Sequence, residues 1–315
     1  MGDTSPLLVI AGATGVGKTA AAVALGARLP IEIVSADSRQ VYRGMDIATG
    51  KPTTEERAAV PHHLVDVVDP ADTYDAARFA RDARAAIAAI RARGRLPVVV
   101  GGTGFYIRAL LRGLDPAAPA DPTFRAELTE IATRQGRQAL HARLAAQAPT
   151  VARRLHPNDH VRVIRALELV RAGSPAGDAQ TRWREASADP AVLYVGLTLD
   201  RPRLDERLRR RAAGMVAAGL EDEVRGLLAR GYAPALPAMH GIGYREFARV
   251  IAGDLARDEA LRLMQRDTLR YARRQGTWFA REPARHWIDV EAVDGGAAGV
   301  AAAIEATLKQ EGRIG

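Results

Sequence analysis

An eight-residue glycine-rich segment is the part of the sequence best suited to carry chemistry. Residues 12–19 read GATGVGKT and satisfy the pattern G-x-x-x-x-G-K-[ST]. The segment follows a short apolar run and precedes a helical pattern, the setting in which backbone amides and a helix N-terminus bind phosphate. The Lys18 ammonium suits the phosphates, and the Thr19 hydroxyl suits Mg²⁺. We predict a diphosphate- or triphosphate-binding loop formed by Gly12, Ala13, Thr14, Gly15, Val16, Gly17, Lys18 and Thr19.

Two polar residues follow the other apolar runs. A nucleotide hydrolase normally carries an aspartate after an apolar strand to hold Mg²⁺, but the run 98–100 leads instead into Gly-Gly-Thr-Gly. Asp37 follows the run 31–34, and Thr103 follows the run 98–100. Because the carboxyl ends of parallel strands face the ligand crevice, we expect both side chains beside the phosphate loop. In isolation, Asp37 could also cap a turn, and Thr103 could cap the next helix.

The elements that must position these residues alternate along the first hundred positions. Apolar runs at 7–11, 31–34 and 97–100 predict strands, and segments 20–29 and 76–93 predict helices. Strands that alternate with helices in this way indicate an α/β fold, with a parallel sheet and helices on both faces.

The pattern changes after residue 113. Residues 123–172 predict helices with little strand signal, and 192–199 predicts a strand that returns to the first sheet. Helices over 201–230 and 255–281, a strand over 286–290 and a terminal helix complete the chain. We therefore predict a helical insertion, 121–185, within an α/β core formed by 1–120 and 186–315.

Composition narrows the function classes further. The chain has 315 residues, a net charge of +8 and no cysteine, so disulfides, thiolate metal sites and thiol nucleophiles are excluded. No apolar run reaches the roughly eighteen residues of a membrane helix, which favours a soluble cytoplasmic protein. Residues 121–185 hold 11 basic and 7 acidic side chains, and residues 200–285 hold 18 and 12. This excess suggests a polyanionic partner such as nucleic acid, or alternatively an arginine-rich solvated surface.

The phosphate loop and seven further segments together resemble the bacterial tRNA dimethylallyltransferases, and they occur in the order expected across nearly the whole chain. Besides the phosphate loop they are 35–42 (SADSRQVY), 46–52 (DIATGKP), 101–106 (GGTGFY), 162–168 (RVIRALE), 215–224 (MVAAGLEDEV), 243–246 (GYRE) and 273–278 (RRQGTW). The phosphate loop is generic, whereas DSRQVY and the RRQ-x-TW ending are specific to the family.

The resemblance implies transfer of a dimethylallyl group from dimethylallyl diphosphate to the exocyclic amine of the adenosine 3′ to the tRNA anticodon. It also implies a P-loop kinase-like sheet, a loop that holds the donor diphosphate with Mg²⁺ rather than ATP, and a helical insertion on the anticodon arm. A carboxylate at the amine, here Asp37, can orient it and remove its proton. By the resemblance, Thr103 and Arg211 stabilise the leaving oxygen. Arg211 lies in an arginine-dense stretch, so Arg207 and Arg210 are its alternatives.

The resemblance further implies a tRNA-binding surface. Trp278 and Phe279 could stack bases or could belong to the core, and Gln40 could read an adenine edge. The residues of this surface are Asp37, Ser38, Arg39, Gln40, Thr103, Arg125, His160, Val161, Arg162, Val163, Ile164, Arg274, Gln275, Thr277 and Trp278.

Three departures from the family pattern are present. His160 stands where glutamine is usual, and Gly50 stands in a segment that usually reads Thr-Ala-Lys-Pro, a change we expect to be harmless. The Cys-His zinc module of the eukaryotic relatives is missing, so we expect no structural zinc. We also expect a monomer.

Three other functions remain open on the residues alone. One is a P-loop kinase of a small metabolite, in which Asp37 would deprotonate a hydroxyl; it gives the insertion no purpose. Another is a prenyltransferase of free adenine nucleotides, which would not need residues 121–185. The third is a non-catalytic RNA-binding protein that uses the loop as a nucleotide switch.

Overall fold

The computed structural model describes residues 6–114, 121–173, 191–282 and 286–314. The chain forms two compact units, one of residues Met1–Leu111 and Ala188–Gly315 and the other of residues Arg112–Ser187. The predicted loop 173–177 and the end of the predicted insertion lie largely outside the described residues.

The first unit is built on a parallel sheet of six strands in the order β3-β2-β4-β1-β5-β6. The strands are β1 (Leu7–Gly12), β2 (Ile31–Ser35), β3 (His62–His63), β4 (Leu96–Gly101), β5 (Val192–Thr198) and β6 (His286–Asp289). The predicted α/β class with a parallel sheet is thus confirmed. Because β4 lies between β2 and β1, the loops that follow these three strands meet at one edge of the sheet.

Both faces of the sheet are covered, which explains why its central strands are continuous apolar runs rather than alternating ones. Every residue of β1 and β4 is buried. Leu8 and Ile10 face a core shared with the first and last helices, while Val9 and Val99 are buried towards the opposite face.

Thirteen α-helices are present in the described residues. They are α1 (Lys18–Gly26), α2 (Thr54–Ala59), α3 (Ala76–Ala92), α4 (Gly104–Arg112), α5 (Pro122–Gln135), α6 (Arg137–Gln147), α7 (Pro149–Ala152), α8 (His160–Arg171), α9 (Arg201–Ala217), α10 (Leu220–Ala229), α11 (Tyr244–Ile251), α12 (Arg257–Phe279) and α13 (Gly296–Gln310). Ala238–His240 adds a 3₁₀ turn. Within the described residues, no helix combines the length and apolar character needed to cross a membrane.

The structure corrects several predicted boundaries. The single helix predicted over 201–230 is two helices, because Gly219 between them adopts φ +97° and ends the helical path. The first helix begins at Lys18 rather than at residue 20 and ends at Gly26 rather than at residue 29. Helices α2 and α11 and the short strand β3 were not predicted.

The second unit is helical and has its own core. Helices α5, α6, α7 and α8 pack through apolar side chains that include Phe124, Leu128, Leu144 and Leu167. The carboxylate of Glu168 is buried in this unit and is satisfied by Arg125 and Arg165. Helix α8 begins at His160 after Asp159, whose carboxylate accepts a hydrogen bond from the amide of Arg162.

Candidate active site

The phosphate loop joins β1 to α1 at the carboxyl edge of the sheet. Gly17 has φ +107° and immediately precedes the helix, a conformation that favours glycine. Gly12 lies against the backbone of β5, since a Cβ on residue 12 would be 2.5 Å from the carbonyl oxygen of Leu197. The loop therefore brings bare backbone and the positive end of a helix dipole to the same place.

Lys18 is the first residue of α1, and its side chain folds back over the loop. Its Nζ donates to the carbonyl oxygen of Ala13 at 2.9 Å. Burial lowers the pKa of the Lys18 ammonium to about 8; the charge of Asp37 opposes this shift, and that of Arg211 adds to it. A polyphosphate placed here would add negative charge beside the ammonium and favour its charged form.

Asp37 lies two residues beyond the end of β2 and shapes the loop that carries it. Its Oδ1 accepts hydrogen bonds from the amides of Arg39 at 2.8 Å and Gln40 at 3.3 Å. Asp37 therefore makes the turn-capping contacts that its residue type allows. The same side chain lines two cavities, so the turn holds a carboxylate at a place where ligands could reach it.

Thr103 links the loops after β2 and β4. Its hydroxyl oxygen accepts a hydrogen bond from the amide of Ser38 at 3.1 Å, and its amide donates to the carbonyl of Ala36 at 3.2 Å. The Tyr271 hydroxyl of α12 also bonds to Thr103, and burial together with the negative charge of Asp37 raises the pKa of Tyr271 to about 12. The Thr103 side chain thus binds the neighbouring loop in addition to preceding α4.

Arg211 on α9 supplies a second, half-buried cation. Burial lowers the pKa of its guanidinium, and the nearby carboxylates of Asp37 and Glu56 oppose that shift. Its Nη2 occupies the space next to Gly50, where a Cβ would overlap it. Gly50, at φ +58°, is therefore a structural neighbour of the cation. The sequence left Arg207 and Arg210 as alternatives to Arg211.

Two cavities meet between Asp37 and Arg211. The phosphate-loop cavity has a volume of about 670 Å³ and is lined by Gly15, Gly17, Lys18 and Thr19. The α12 cavity has a volume of about 420 Å³ and is lined by residues of α9 and α12 and of the segment between α10 and α11. The residues common to both cavities are Thr14, Asp37, Thr49, Arg211 and Met215. A carboxylate and a guanidinium at a shared boundary could serve a proton transfer on one side and a departing anion on the other.

The α12 cavity is lined by both apolar and charged side chains. Leu208, Ala212, Met215, Ile242 and Met264 line it together with Arg39, Arg245, Asp267, Arg270 and Arg274. A ligand with both a planar polar group and an aliphatic group would find matching surfaces there.

Among the described residues that line the phosphate-loop cavity, the side chains that could bind a metal ion offer oxygen donors. In the described part of the chain no three His, Cys, Asp or Glu side chains cluster as a metal site. The Thr19 hydroxyl lines the phosphate-loop cavity with the carboxylates of Asp37, Asp46 and Glu56. This donor set fits Mg²⁺, which keeps several waters and is usually held through substrate phosphates and few protein oxygens.

The predicted RNA-contacting residues of the 38–40 segment differ in their surroundings. Arg39 donates to the carbonyl of Pro237 at 2.9 Å and lines the α12 cavity. The amide of Gln40 is already engaged at both ends, by Ser35 Oγ at 2.9 Å and the Gly50 carbonyl at 3.1 Å. Both ends of the Gln40 side-chain amide are thus bonded within the protein, and this geometry disfavours the predicted bidentate contact with an adenine.

On α12, the predicted surface residues separate into two groups. Arg274 and Thr277 are exposed, whereas Gln275 is 6% exposed and bonds only to backbone groups of the α/β core in the described residues. The Trp278 ring is covered by the Arg108 guanidinium at 4.1 Å, and its buried Nε1 has no hydrogen-bond partner in the described residues. Phe279 is 1% exposed, so of its two predicted alternatives the structure supports the core position and not base stacking.

The helical unit places its predicted residues in the same mixed way. Val161 is 67% exposed and Arg162 is exposed beside it, whereas Val163 and Ile164 are buried in the helical core. His160 is half-buried. Arg125 is half-exposed while two of its nitrogens bind Glu168, at 3.1 and 2.8 Å. Only the exposed members of this set have side chains that an RNA could reach.

Sequence reasoning missed a clamp on the segment 42–51. The Lys51 ammonium is 3% exposed and bonds to the Tyr42 carbonyl at 2.6 Å, to Asp46 at 2.5 Å and to Asp66. Glu223 of α10 accepts hydrogen bonds from the amides of Asp46 and Ile47, each at 3.0 Å. The signal for Lys51 was its rarity, since the chain has three lysines among its 45 basic residues.

Comparisons with known proteins show which family the sequence resembles. The model of the IPP transferase family matches residues 40–282, and that of isopentenyl transferase matches residues 5–63. A tRNA dimethylallyltransferase of Geobacter sulfurreducens is 47% identical over 292 residues, covering 92% of this chain and 94% of that protein. One from Anaeromyxobacter dehalogenans strain 2CP-1 is 52% identical over 295 residues, covering 91% and 95%.

Solved structures show the same likeness. The tRNA isopentenylpyrophosphate transferase of Bacillus halodurans has a TM-score of 0.71 at 38% identity, covering 98% of each chain. A eukaryotic dimethylallyltransferase described as acting on tRNA has a TM-score of 0.69 at 27% identity, covering 87% of this chain and 70% of that one.

Proposed function

Since the chain belongs to the IPP transferase family, we propose that it transfers a dimethylallyl group to tRNA. The donor is dimethylallyl diphosphate, and the acceptor is the exocyclic amine of the adenosine immediately 3′ to the anticodon. A nitrogen–carbon bond forms, the bond from carbon to the bridging oxygen breaks, and diphosphate leaves with its electron pair. The amine loses one proton.

The observation that carries this proposal is the shared boundary of the two cavities, with Asp37 and Arg211 on it. A donor held in the phosphate-loop cavity and a base held in the α12 cavity would meet there. The phosphate-loop cavity contains both the loop and Asp37, and the α12 cavity supplies the adjoining space for the base.

On the donor side, the loop amides and Lys18 hold the diphosphate. Desolvation lowers the pKa of both the Lys18 ammonium and the Arg211 guanidinium, so negative charge on the leaving oxygen would stabilise these cations and be stabilised by them. Mg²⁺ would be held by the Thr19 hydroxyl together with diphosphate oxygens and water, and when bound it neutralises charge on the leaving group.

On the acceptor side, Asp37 accepts the proton of the adenine amine. The lone pair of that amine is delocalised into the ring, so a hydrogen bond to a carboxylate is needed to orient it and raise its nucleophilicity. The turn contacts of Oδ1 fix the carboxyl group and leave Oδ2 for the substrate. Thr103 bonds to the loop that carries Asp37, through the amide of Ser38 and the carbonyl of Ala36, and from there its hydroxyl would assist the leaving oxygen.

Recognition of the RNA falls to exposed basic side chains. Arg274 of α12 and Arg162 of the helical unit are the members of the predicted surface best placed to reach phosphates. The adenosine must leave its stack to enter the α12 cavity, which a single-stranded anticodon loop permits at a cost of a few kcal/mol. We propose that the chain acts as a monomer in the cytoplasm, where tRNA is found.

The test is mass spectrometry of nucleosides from tRNA incubated with the protein, Mg²⁺ and dimethylallyl diphosphate. We expect dimethylallyl adenosine next to the anticodon and one diphosphate released per transfer. Modification of free adenosine monophosphate but not of tRNA would assign the chain to nucleotide prenylation instead. Productive use of ATP as a phosphoryl donor, with no prenylated tRNA, would assign it to the P-loop kinases.

A further inference from the structure

Gln275 is a buried polar side chain next to the phosphate loop. It lies on α12 and is 6% exposed. A buried primary amide must find both a donor and an acceptor, because leaving either end unpaired costs the full desolvation of that group. The partners of such a residue therefore report what it does.

Both partners of Gln275 are backbone groups of the α/β core. The Thr14 amide donates to Oε1 at 2.8 Å, and Nε2 donates to the Gly102 carbonyl at 2.8 Å. Thr14 belongs to the phosphate loop after β1, and Gly102 follows β4, the neighbouring strand. One side chain thus bridges the two loops and fixes the distance between them.

The bridge continues to Asp37 through the backbone. Gly102 is followed by Thr103, whose amide donates to the Ala36 carbonyl at 3.2 Å, and Ala36 immediately precedes Asp37. The bond from Gln275 also uses the Thr14 amide, which is then not free to bind a phosphate. The side-chain amide of Gln275 therefore connects the phosphate loop, which would hold the diphosphate, to the loop of Asp37, which would take the proton.

The surroundings select glutamine and glycine together. A Cβ on residue 102 would overlap Nε2 of Gln275. A side chain that lacks either an acceptor or a donor cannot serve one N–H and one C=O at the same time. Gln275 and Gly102 therefore depend on each other, because a change of either residue would disrupt the bridge.

We propose that Gln275 is a positioning residue that sets the phosphate loop relative to Thr103 and Asp37, rather than a residue of the RNA surface. This inference rests on the proposed function for the reaction that it serves. It assigns Gln275 to the donor side of the site.

The test compares Gln275→Met with a matched control on the same helix. Gln265 also donates from Nε2 to a backbone carbonyl, that of Arg209 at 3.2 Å, but on the protein surface. We expect Gln275→Met to lower kcat/KM for dimethylallyl diphosphate about tenfold, as loss of one or two buried hydrogen bonds would. Its Kd for an anticodon stem-loop should stay within about twofold of wild type, and Gln265→Met should change neither value.

Gln275→Glu supplies a readout that a purely structural role would not move. A protonated glutamic acid accepts from Thr14 and donates to Gly102, whereas an ionised one sets a negative oxygen against the Gly102 carbonyl. The ratio of variant to wild-type kcat/KM for the donor should therefore rise as the pH falls. This variant also keeps the inference testable if Gln275→Met does not fold.

Two results would overturn the inference. One is weaker stem-loop binding by Gln275→Met with unchanged donor kinetics, which would return the residue to the RNA surface. The other is a lower melting temperature with unchanged donor kinetics and a flat ratio for Gln275→Glu. Calorimetry with inorganic diphosphate and Mg²⁺ separates the inference from the proposed function: if wild type prenylates no tRNA, weaker diphosphate binding by Gln275→Met still supports it.

Discussion

The guanidinium of Arg211 fills the space that a side chain on residue 50 would need, since a Cβ at Gly50 would overlap Nη2 of Arg211. The present position of this half-buried guanidinium therefore requires that residue 50 has no side chain. Gly50 also has φ +58°, so two separate properties of this glycine can be tested by one substitution.

We expect Gly50→Ala, which restores the alanine usual in the family, to shift only the end of the flexible Arg211 side chain and to change kcat/KM for the donor by no more than about threefold. Positive φ alone should cost about 1 kcal/mol of folding stability. Gly94→Ala is the matched control, because Gly94 has φ +67° and its Cβ would have no neighbour within 4 Å. Steady-state kinetics and melting temperatures would measure both effects. A tenfold or larger loss in Gly50→Ala, with Gly94→Ala unchanged, would show instead that the glycine itself is needed to position Arg211.

Asp37→Asn should abolish most turnover while preserving the loop. The asparagine oxygen can still accept from the amides of Arg39 and Gln40, but the side chain cannot take a proton. We expect single-turnover rates to fall on the order of a hundredfold or more, with tRNA affinity largely kept. Asp37→Ala should lose the turn contacts as well and bind tRNA less well than Asp37→Asn. Near-normal turnover in Asp37→Asn would remove this residue from the base role.

The lowered pKa of Lys18 predicts how donor capture depends on pH. The ammonium of the free enzyme loses its proton as the pH rises through about 8, whereas in the unfolded chain it does so near 10.5. We therefore expect kcat/KM for the donor, which reports the free enzyme, to fall above pH 8. Between these two values the unfolded chain binds more protons, so the contribution of Lys18 to folding stability rises with pH.

The control for this titration is Lys18→Arg, whose side chain keeps its charge throughout. Its pH profile for the donor should lack the decline above pH 8 even if its activity is lower. A wild-type profile that stays level well beyond that value would contradict the lowered pKa of Lys18.

Glu32 should stabilise the sheet without affecting the chemistry. It is a buried carboxylate on β2 that bonds to Arg93 at 2.6 Å and to His63 at 2.6 Å, and the hydrogen bond from Arg93 chiefly lowers its pKa to about 2. A lowered carboxylate pKa adds stability that is fully present above the ordinary value of 4.5 and is lost as the pH falls through 2. Glu32→Gln should cost about 2 kcal/mol of unfolding free energy at neutral pH, and less in acid.

Denaturant titration at neutral and acidic pH would measure this cost, with Glu130→Gln as control. Glu130 pairs with Arg134 on the exposed surface of α5, so its loss should change little. A constant difference between wild type and Glu32→Gln down to pH 2 would contradict the ion-pair origin of the effect.

Arg162 and Arg125 should respond differently to alanine. Arg162 is exposed, and its pairing with Asp159 is a surface contact at 3.3 Å; its loss should weaken tRNA binding and reduce the salt slope by about 1. Arg125→Ala removes a partner of the buried Glu168 and should chiefly destabilise the helical unit. Filter binding at several salt concentrations, alongside melting curves, separates the two. An unchanged slope in Arg162→Ala would argue against a phosphate contact there.

The sequence predicted the features that local pattern determines. The phosphate loop and the central strands were accessible because apolar runs and glycine spacing are local signals. Helix α2 could have been found as well, since Thr53 and Glu56 form a capping box with reciprocal hydrogen bonds. The strand of His62 and His63 has no comparable signal, because two residues are too few to show a period.

The features that could not be predicted depend on distant contacts. Gln275 and Thr14 are 261 positions apart, and no local pattern shows that the backbone N–H of Thr14 donates to the side-chain oxygen of Gln275. Val163, Ile164 and Phe279 lie within motifs that indicate an RNA surface, yet helical packing turns them into the core. A motif identifies the segment, but only tertiary packing decides which of its side chains reach a ligand.

Gly101 is the last residue of β4, the strand between β2 and β1, and Gly102 follows it. Neither has a side chain, and an added Cβ would overlap Ala36 at residue 101 and Gln275 at residue 102. In a saturation screen these two positions would tolerate almost no replacement, although neither has a side chain that could touch a substrate. Intolerance to substitution at this edge therefore reports spacing as well as chemistry. Engineering aimed at other prenyl donors is better directed at the apolar wall that the two cavities share, at Met215, than at this strand end.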